Sequence, residues 1–137
     1  MTSKGNIEDR LAVRELLEQY ADGVCQRDPD IWGDTWAEDS EWNMPHIPGM
    51  EKTVGRENIV KGWLEAMKLF PFVHMVATPG RLRFEGDTCY ARTYTSEVAE
   101  MQDGEVIRPR GQYDDIIVKE RGEWRFKQRS FKVLHGE

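Results

Sequence analysis

Proton-transfer chemistry needs a base that titrates near neutrality and a donor that meets the charge it creates. His74 is a candidate for the first role. It interrupts the apolar run Phe72-Val73-His74-Met75-Val76, and a neutral imidazole in apolar surroundings can take a proton from carbon or oxygen. Tyr20 is a candidate for the second: it falls on the apolar face of a helix, where its phenol could donate to a developing oxyanion. Cys25 follows five residues later, with Asp22 between them. A carboxylate can orient and charge an imidazole; a thiol does so weakly unless it ionises beside the histidine. Cys89, Ala91, Thr93, Thr95 and Glu97 share one face of a strand, and Tyr90, Arg92, Tyr94 and Ser96 the other. Tyr113 and Asp115, two apart on a strand, suit a structural hydrogen bond. His46, in Pro45-His46-Ile47-Pro48, suits a lid, and His135 carries no role. Three scattered histidines without metal-ligand spacing give no metal site. Gly80, Gly86 and Gly104 are isolated turn glycines rather than a phosphate or dinucleotide loop, so no cofactor is implied.

These groups need elements to position them. Ile7 to Val24 reads as one helix, with Leu11, Val13, Leu16, Leu17, Tyr20, Ala21 and Val24 on a single face. Asp28-Pro29-Asp30 marks the start of a short helix holding Ile31, Trp32 and Trp36. Ser40 to Met44 is a strand stopped by Pro45, and Arg56 to Met67 a helix that buries Ile59, Val60, Trp63, Leu64 and Met67. The period then changes to two. Phe72 to Thr78 is a strand closed by Pro79-Gly80, and Arg81 to Phe84 leads to a turn at Gly86-Asp87. Thr88 to Met101, Val106 to Glu120 and Glu123 to Leu134 are further strands. Helices first and antiparallel strands later make an α+β fold, a strongly curved mixed or antiparallel sheet with about three N-terminal helices enclosing a conical pocket. Residues 1–137 read as a single domain.

Composition narrows the function. The 25 acidic residues against 19 basic ones give a net charge of −6, which disfavours nucleic acid as a partner. The Lys/Arg-rich stretch from Lys119 to Lys132 alternates with acids and aromatics and reads as a solvated strand face. No apolar run reaches the ~20 residues of a membrane span, and the polar stretch Met1 to Arg10 has no signal-peptide core. Two cysteines cannot build a disulfide framework, so a reducing cytoplasm is the expected location.

Four landmarks occur in order: Tyr20-Ala21-Asp22-Gly23-Val24 through Arg27-Asp28 to Trp36-Ala37-Glu38-Asp39-Ser40-Glu41-Trp42; Gly55-Arg56-Glu57-Asn58-Ile59; Phe72-Val73-His74-Met75; and Gly122-Glu123-Trp124-Arg125-Phe126. Together they resemble the nuclear transport factor two-like superfamily over nearly the whole chain. Within it they are most similar to the SnoaL-like group, which resembles scytalone dehydratase, bile-acid 7α-dehydratase and hexachlorocyclohexane dehydrochlorinase and, more distantly, ketosteroid isomerase. The resemblance implies a histidine base at His74 and an oxyanion-binding or helix-one tyrosine at Tyr20. It implies a second carboxylate near Glu97 and an anion-holding arginine at Arg129. It also places Cys25 where the dehydratases carry the aspartate that orients the histidine, and Met44 where the isomerase carries its base. Asp22 or Glu97 could stand in for the missing aspartate, the thiol could ionise beside His74, or the pocket could only bind.

The sequence therefore supports a cofactor-independent lyase or isomerase of dehydratase, dehydrohalogenase or cyclase type, acting on a small, apolar, cyclic substrate. His74 takes the proton, Tyr20 donates, and Asp22, Cys25, Glu97 and Arg129 assist. Trp42, Met44, Trp63 and Phe72 are the expected substrate-binding walls. The alternatives are a non-catalytic small-molecule binder, since Cys25 replaces the acid, and a protein-interaction scaffold. A homo-oligomer, trimer or dimer, is expected, because a long open sheet leaves an apolar outer face.

Overall fold

The computed structural model describes residues 5–136; the first four residues of the polar N-terminal stretch lie outside it. Helix α1, Ile7–Gln26, starts where the Asn6 side chain accepts from the Asp9 N–H. It ends where Arg27 adopts a left-handed conformation at φ 55°. Asp28 caps α2, Pro29–Gly33, through the N–H groups of Asp30 and Ile31, with Pro29 in the first helical position. Strand β1, Trp36–Asn43, begins four residues before the expected Ser40. A two-residue strand β2, Thr53–Val54, then precedes α3, Arg56–Met67. The C-terminal half holds β3, Phe72–Glu85; β4, Thr88–Glu100; β5, Val106–Ile107; β6, Arg110–Glu120; and β7, Glu123–His135. The expected strand from Val106 to Glu120 is thus divided in two.

The strands form one curved, unclosed seven-stranded sheet in the order β2-β1-β7-β6-β4-β3, with β5 on β4. All pairs are antiparallel except β1 with β7, so the sheet is mixed. The helices cover one face. Between helices and sheet lies an aromatic core in which Trp32, Trp36 and Phe126 are fully buried beside Val13, Leu17 and Ile59.

Two bulges decide which side chains face this core. In β3 Pro79 faces Thr93 while Leu82 faces Ala91, so β3 spends three residues where β4 spends two. Pro79-Gly80 therefore does not close the strand, as expected from the sequence; the strand continues through it. A proline that cannot donate to the ladder is tolerated at such a bulge. One extra residue reverses the inside–outside alternation: Leu82 and Phe84 point inward after the bulge, Val73 and Met75 before it. In β7 the shift between Phe126 and Gln128, which face Ile117 and Ile116, turns the inward set from Trp124 and Phe126 to Arg129 and Phe131.

At Gly23 the first two helices almost touch: a Cβ there would lie 2.8 Å from the backbone N and Cα of Trp32. A Gly23→Ala variant is expected to lose about 1–3 kcal/mol of stability, measured by urea denaturation, because the clash is with backbone and cannot be relieved by a rotamer change. An unchanged midpoint would contradict the close packing of α1 on α2.

Candidate functional site

The inner face of the sheet together with α1 and α3 lines a cavity of about 300 Å³. Its polar end is a hydroxyl cluster. Tyr20, six residues before the end of α1, and Tyr113, on the inward side of β6, place their hydroxyl oxygens 3.1 Å apart. The Trp42 indole N–H of β1 donates to the Tyr113 oxygen at 3.0 Å. Tyr113 in turn has the Met44 sulfur 3.6 Å away as an acceptor. An indole can only donate, so one lone pair of the Tyr113 oxygen is committed. When Tyr20 also donates to that oxygen, the Tyr113 proton is left facing a thioether, a weak acceptor that a ligand oxygen would displace. Burial raises the pKa of both phenols, so both are protonated at neutral pH.

A buried ion pair props this cluster from behind. Arg129 binds Asp115 through two bonds, Nε to Oδ1 at 2.7 Å and Nη2 to Oδ2 at 3.1 Å. Thr93 donates to the same carboxylate at 2.7 Å. The guanidinium carbon lies 3.8 Å from the ring centre of Tyr113, 4.0 Å from that of Phe126 and 4.4 Å from that of Tyr20, close enough for cation–π attraction. Arg129 is 1% exposed and does not line the cavity. The anion-holding role implied for it by resemblance is not what this geometry offers; the arginine is enclosed by aromatic rings and neutralised by Asp115.

The walls are apolar. Trp63 of α3 stacks on Trp32 at 4.4 Å with 9° between the planes. Trp32 is fully buried and Trp63 lines the cavity, so the free face of the indole is the lining face. Phe131 of β7 lies across β6 at Gly111, where a Cβ would sit 2.1 Å from the ring. The β1–β2 loop adds Met44, His46, Ile47 and Met50 to the mouth, with the His46 ring 5.2 Å from that of Phe131. Desolvation lowers the His46 pKa, favouring the neutral imidazole.

Among the described residues one carboxylate lines the cavity, that of Glu97 on β4. It faces Met75 of β3 across the sheet, and its side chain makes no hydrogen bond or ion pair with a described residue. Burial alone pushes its pKa up to about 7. Its backbone N–H points away, to the Pro109 carbonyl.

The expected site residues separate into two groups. Tyr20, Glu97, Trp42, Met44 and Trp63 come together around the cavity. His74, Asp22 and Phe72 do not: His74 and Asp22 are exposed and Phe72 is 51% exposed. The bulge at Pro79–Leu82 puts Val73 and Met75 inward and so turns His74 and Phe72 to the outer face of the sheet. Cys25 does not meet an imidazole either. Its sulfur lies 3.3 Å from the Met75 N–H and 3.4 Å from the Met75 carbonyl, accepting from one and donating to the other. It thereby ties α1 to the backbone of the free edge of β3. Tyr113, read from sequence as a structural partner of Asp115, is the residue that joins Tyr20 to Trp42. Its inward position, two residues from both Gly111 and Asp115 on one strand face, is the signal that marks it. Among the described residues no group of three or more His, Cys, Asp or Glu side chains could hold a metal ion, and no helix is long and apolar enough to cross a membrane.

A family model described as a SnoaL-like domain matches residues 5–130. No curated protein matches the sequence. Among solved structures, a scytalone dehydratase-like protein of Novosphingobium aromaticivorans superposes with a TM-score of 0.85 at 19% identity, covering 96% of this chain and 88% of the other. A hexachlorocyclohexane dehydrochlorinase, LinA type 3 of Novosphingobium barchaimii, gives 0.82 at 18%, covering 96% and 90%. An aromatic ring hydroxylase-like protein of Novosphingobium aromaticivorans gives 0.82 at 24%, covering 97% and 96%. At these identities the likeness establishes the fold.

The raised Glu97 pKa carries a stability signature. The folded state holds its proton up to about pH 7, while the unfolded chain releases it near ~4.3. The protein therefore loses stability as pH rises through this window. Glu97→Gln, which is always neutral, is expected to exceed the parent by roughly 2–3 kcal/mol above neutrality and to converge with it toward pH ~4. Chemical denaturation at both ends of the range measures this. A difference that does not change with pH would contradict a desolvated carboxyl.

Proposed function

The chain belongs to the SnoaL-like domain family, and from that premise we propose that it is a cofactor-independent lyase or isomerase whose proton-transfer base is Glu97 rather than His74. The observation that carries the reading is an unpartnered carboxylate at about pKa 7 in the wall of an apolar cavity that also holds the Tyr20–Tyr113 hydroxyl pair. A base poised near the working pH combines a useful ionised fraction with real basicity.

The carboxylate takes a proton from a carbon next to a carbonyl or leaving group. The electron pair of that C–H bond moves toward the substrate oxygen, or expels the leaving group. Tyr113 meets the developing charge with its O–H, its own oxygen steadied by the Trp42 N–H and by Tyr20. In an isomerisation, protonated Glu97 returns the proton at another carbon. Arg129, held against both phenol rings by Asp115, keeps the two tyrosines in place without touching the substrate. A cavity of about 300 Å³ is at the small end of ligand pockets and suits a molecule of one or two rings.

A second reading is a non-catalytic binder. It is favoured by the loss of the expected dyad at His74: Cys25 is engaged by the β3 backbone and His74 lies outside the cavity. The two free thiols fit a reducing cytoplasm. The exposed Phe72, Val76 and Tyr94 on the sheet support association of copies into a dimer or trimer.

The two readings separate in one assay. Deuterium incorporation at the enolisable carbon of 1-tetralone, followed by NMR in heavy water, is expected to be accelerated by the protein. Glu97→Gln should slow it at least 100-fold and Tyr113→Phe about 10–100-fold, while His74→Ala stays within about twofold. Loss of exchange in His74→Ala, or retention in Glu97→Gln, would overturn the assignment. Binding of the ketone with no exchange in any form would favour the binder.

A further inference from the structure

The cavity has an uneven charge inventory. Among the described residues the ionisable side chains that line it are Tyr20 from α1, His46 from the β1–β2 loop, Glu97 from β4 and Tyr113 from β6; α3 and β7 contribute no ionisable side chain. No lysine or arginine among the described residues lines it. The nearest cation on the cluster side, Arg129, is fully buried behind the tyrosine rings and already bound at both of its bonding nitrogens to Asp115. The pair is neutral as seen from the cavity, and its remaining nitrogen, Nη1, has no partner but is sequestered in the same place. His46 is pushed toward its neutral form by burial.

An anionic guest would therefore have to shed its hydration in an apolar cavity, with no counter-ion to receive it and with a carboxylate in the same wall. A neutral guest meets no such cost. What the polar end offers is one free hydroxyl donor of the Tyr20–Tyr113 pair, since their mutual bond uses the other; with Tyr20 donating, the Tyr113 O–H faces only the Met44 thioether at 3.6 Å, and the Trp42 N–H is already spent. We propose that the cavity selects uncharged one- or two-ring carbonyl compounds carrying a single acceptor oxygen, and excludes the corresponding carboxylates, with Glu97 as the residue that enforces the exclusion. The inference rests on the reading of this cavity as the ligand site. It goes beyond that reading by fixing the charge state of the ligand and by giving Glu97 a role in specificity separate from proton transfer.

Shape-matched probes test it. 2-Acetylnaphthalene, 2-naphthoate and 2-naphthylmethylammonium share a ring system and differ in charge. Their affinities are measured by calorimetry on the full chain at about pH 8, where Glu97 is ionised. The ketone is expected to bind at least tenfold more tightly than either ion. Glu97→Gln should improve naphthoate binding at least tenfold relative to that of the ketone. Naphthoate binding as well as the ketone, or a Glu97→Gln variant that still rejects it, would overturn the inference. So would an ammonium probe that binds more tightly than the ketone, which would mark a cation site. These outcomes are independent of the deuterium assay: preserved ketone selectivity without exchange defeats the proton-transfer reading and leaves this one standing. Failure of all three probes to bind the folded protein defeats both.

Discussion

Between Pro79 and Leu82 the third strand carries one more residue than the stretch of β4 it faces, and the pleat on either side is out of phase. Leu82 and Phe84 must face inward, because they seal the core where Phe84 packs against Trp124 at 5.5 Å. Without the bulge the same alternation would carry inward to Thr78, Val76 and His74. With it, Met75 and Val73 line the cavity and the imidazole stands on the outer face. The rest of the site follows. Met75 turns its backbone toward the free edge of the sheet, where the Cys25 sulfur engages it. Its cross-strand partner Glu97 is then left as the one acid in the cavity wall among the described residues.

A second constraint acts behind the hydroxyl cluster. The Arg129–Asp115 pair links β6 to β7, takes in β4 through Thr93, and holds the rings of Tyr20 and Tyr113 against a buried positive charge. Burying such a pair is expensive unless its groups are fully used. Here one salt bridge with a hydroxyl donor and three aromatic faces surrounds it. Its value to the site is geometric: it fixes two phenols from different elements so that their oxygens meet, and Trp42 closes the cluster from β1. The cavity thereby combines a rigid donor cluster with a desolvated carboxyl.

Much of this architecture is legible in the sequence. The apolar stripe of α1 places Tyr20 inward, the Asp28-Pro29 cap sets α2, and Arg56–Met67 appears as a helix with its observed bounds. The α+β class follows from the change of period after Pro71, and the alternation in β4 puts Glu97 on the same face as Thr93 and Thr95. What escapes is phase. Phe72, His74 and Val76 are as apolar a set as Val73, Met75 and Ala77, so alternation alone does not tell which set is buried. A proline–glycine pair reads as a turn when it is a bulge. The parallel pairing of β1 with β7 joins residues more than eighty positions apart and leaves no local trace. Tyr113 was legible only as a partner of Asp115, because its meeting with Tyr20 and Trp42 depends on three elements remote in sequence.

The account turns on Glu97 being the proton-carrying group of the cavity. Carbon-detected NMR titration of the protein with labelled glutamate carboxyls addresses this directly. One carboxyl is expected to titrate near pH 7, to vanish in Glu97→Gln and to be unaffected in His74→Ala. A full set of glutamates titrating near ~4.3, with none displaced, would contradict the account.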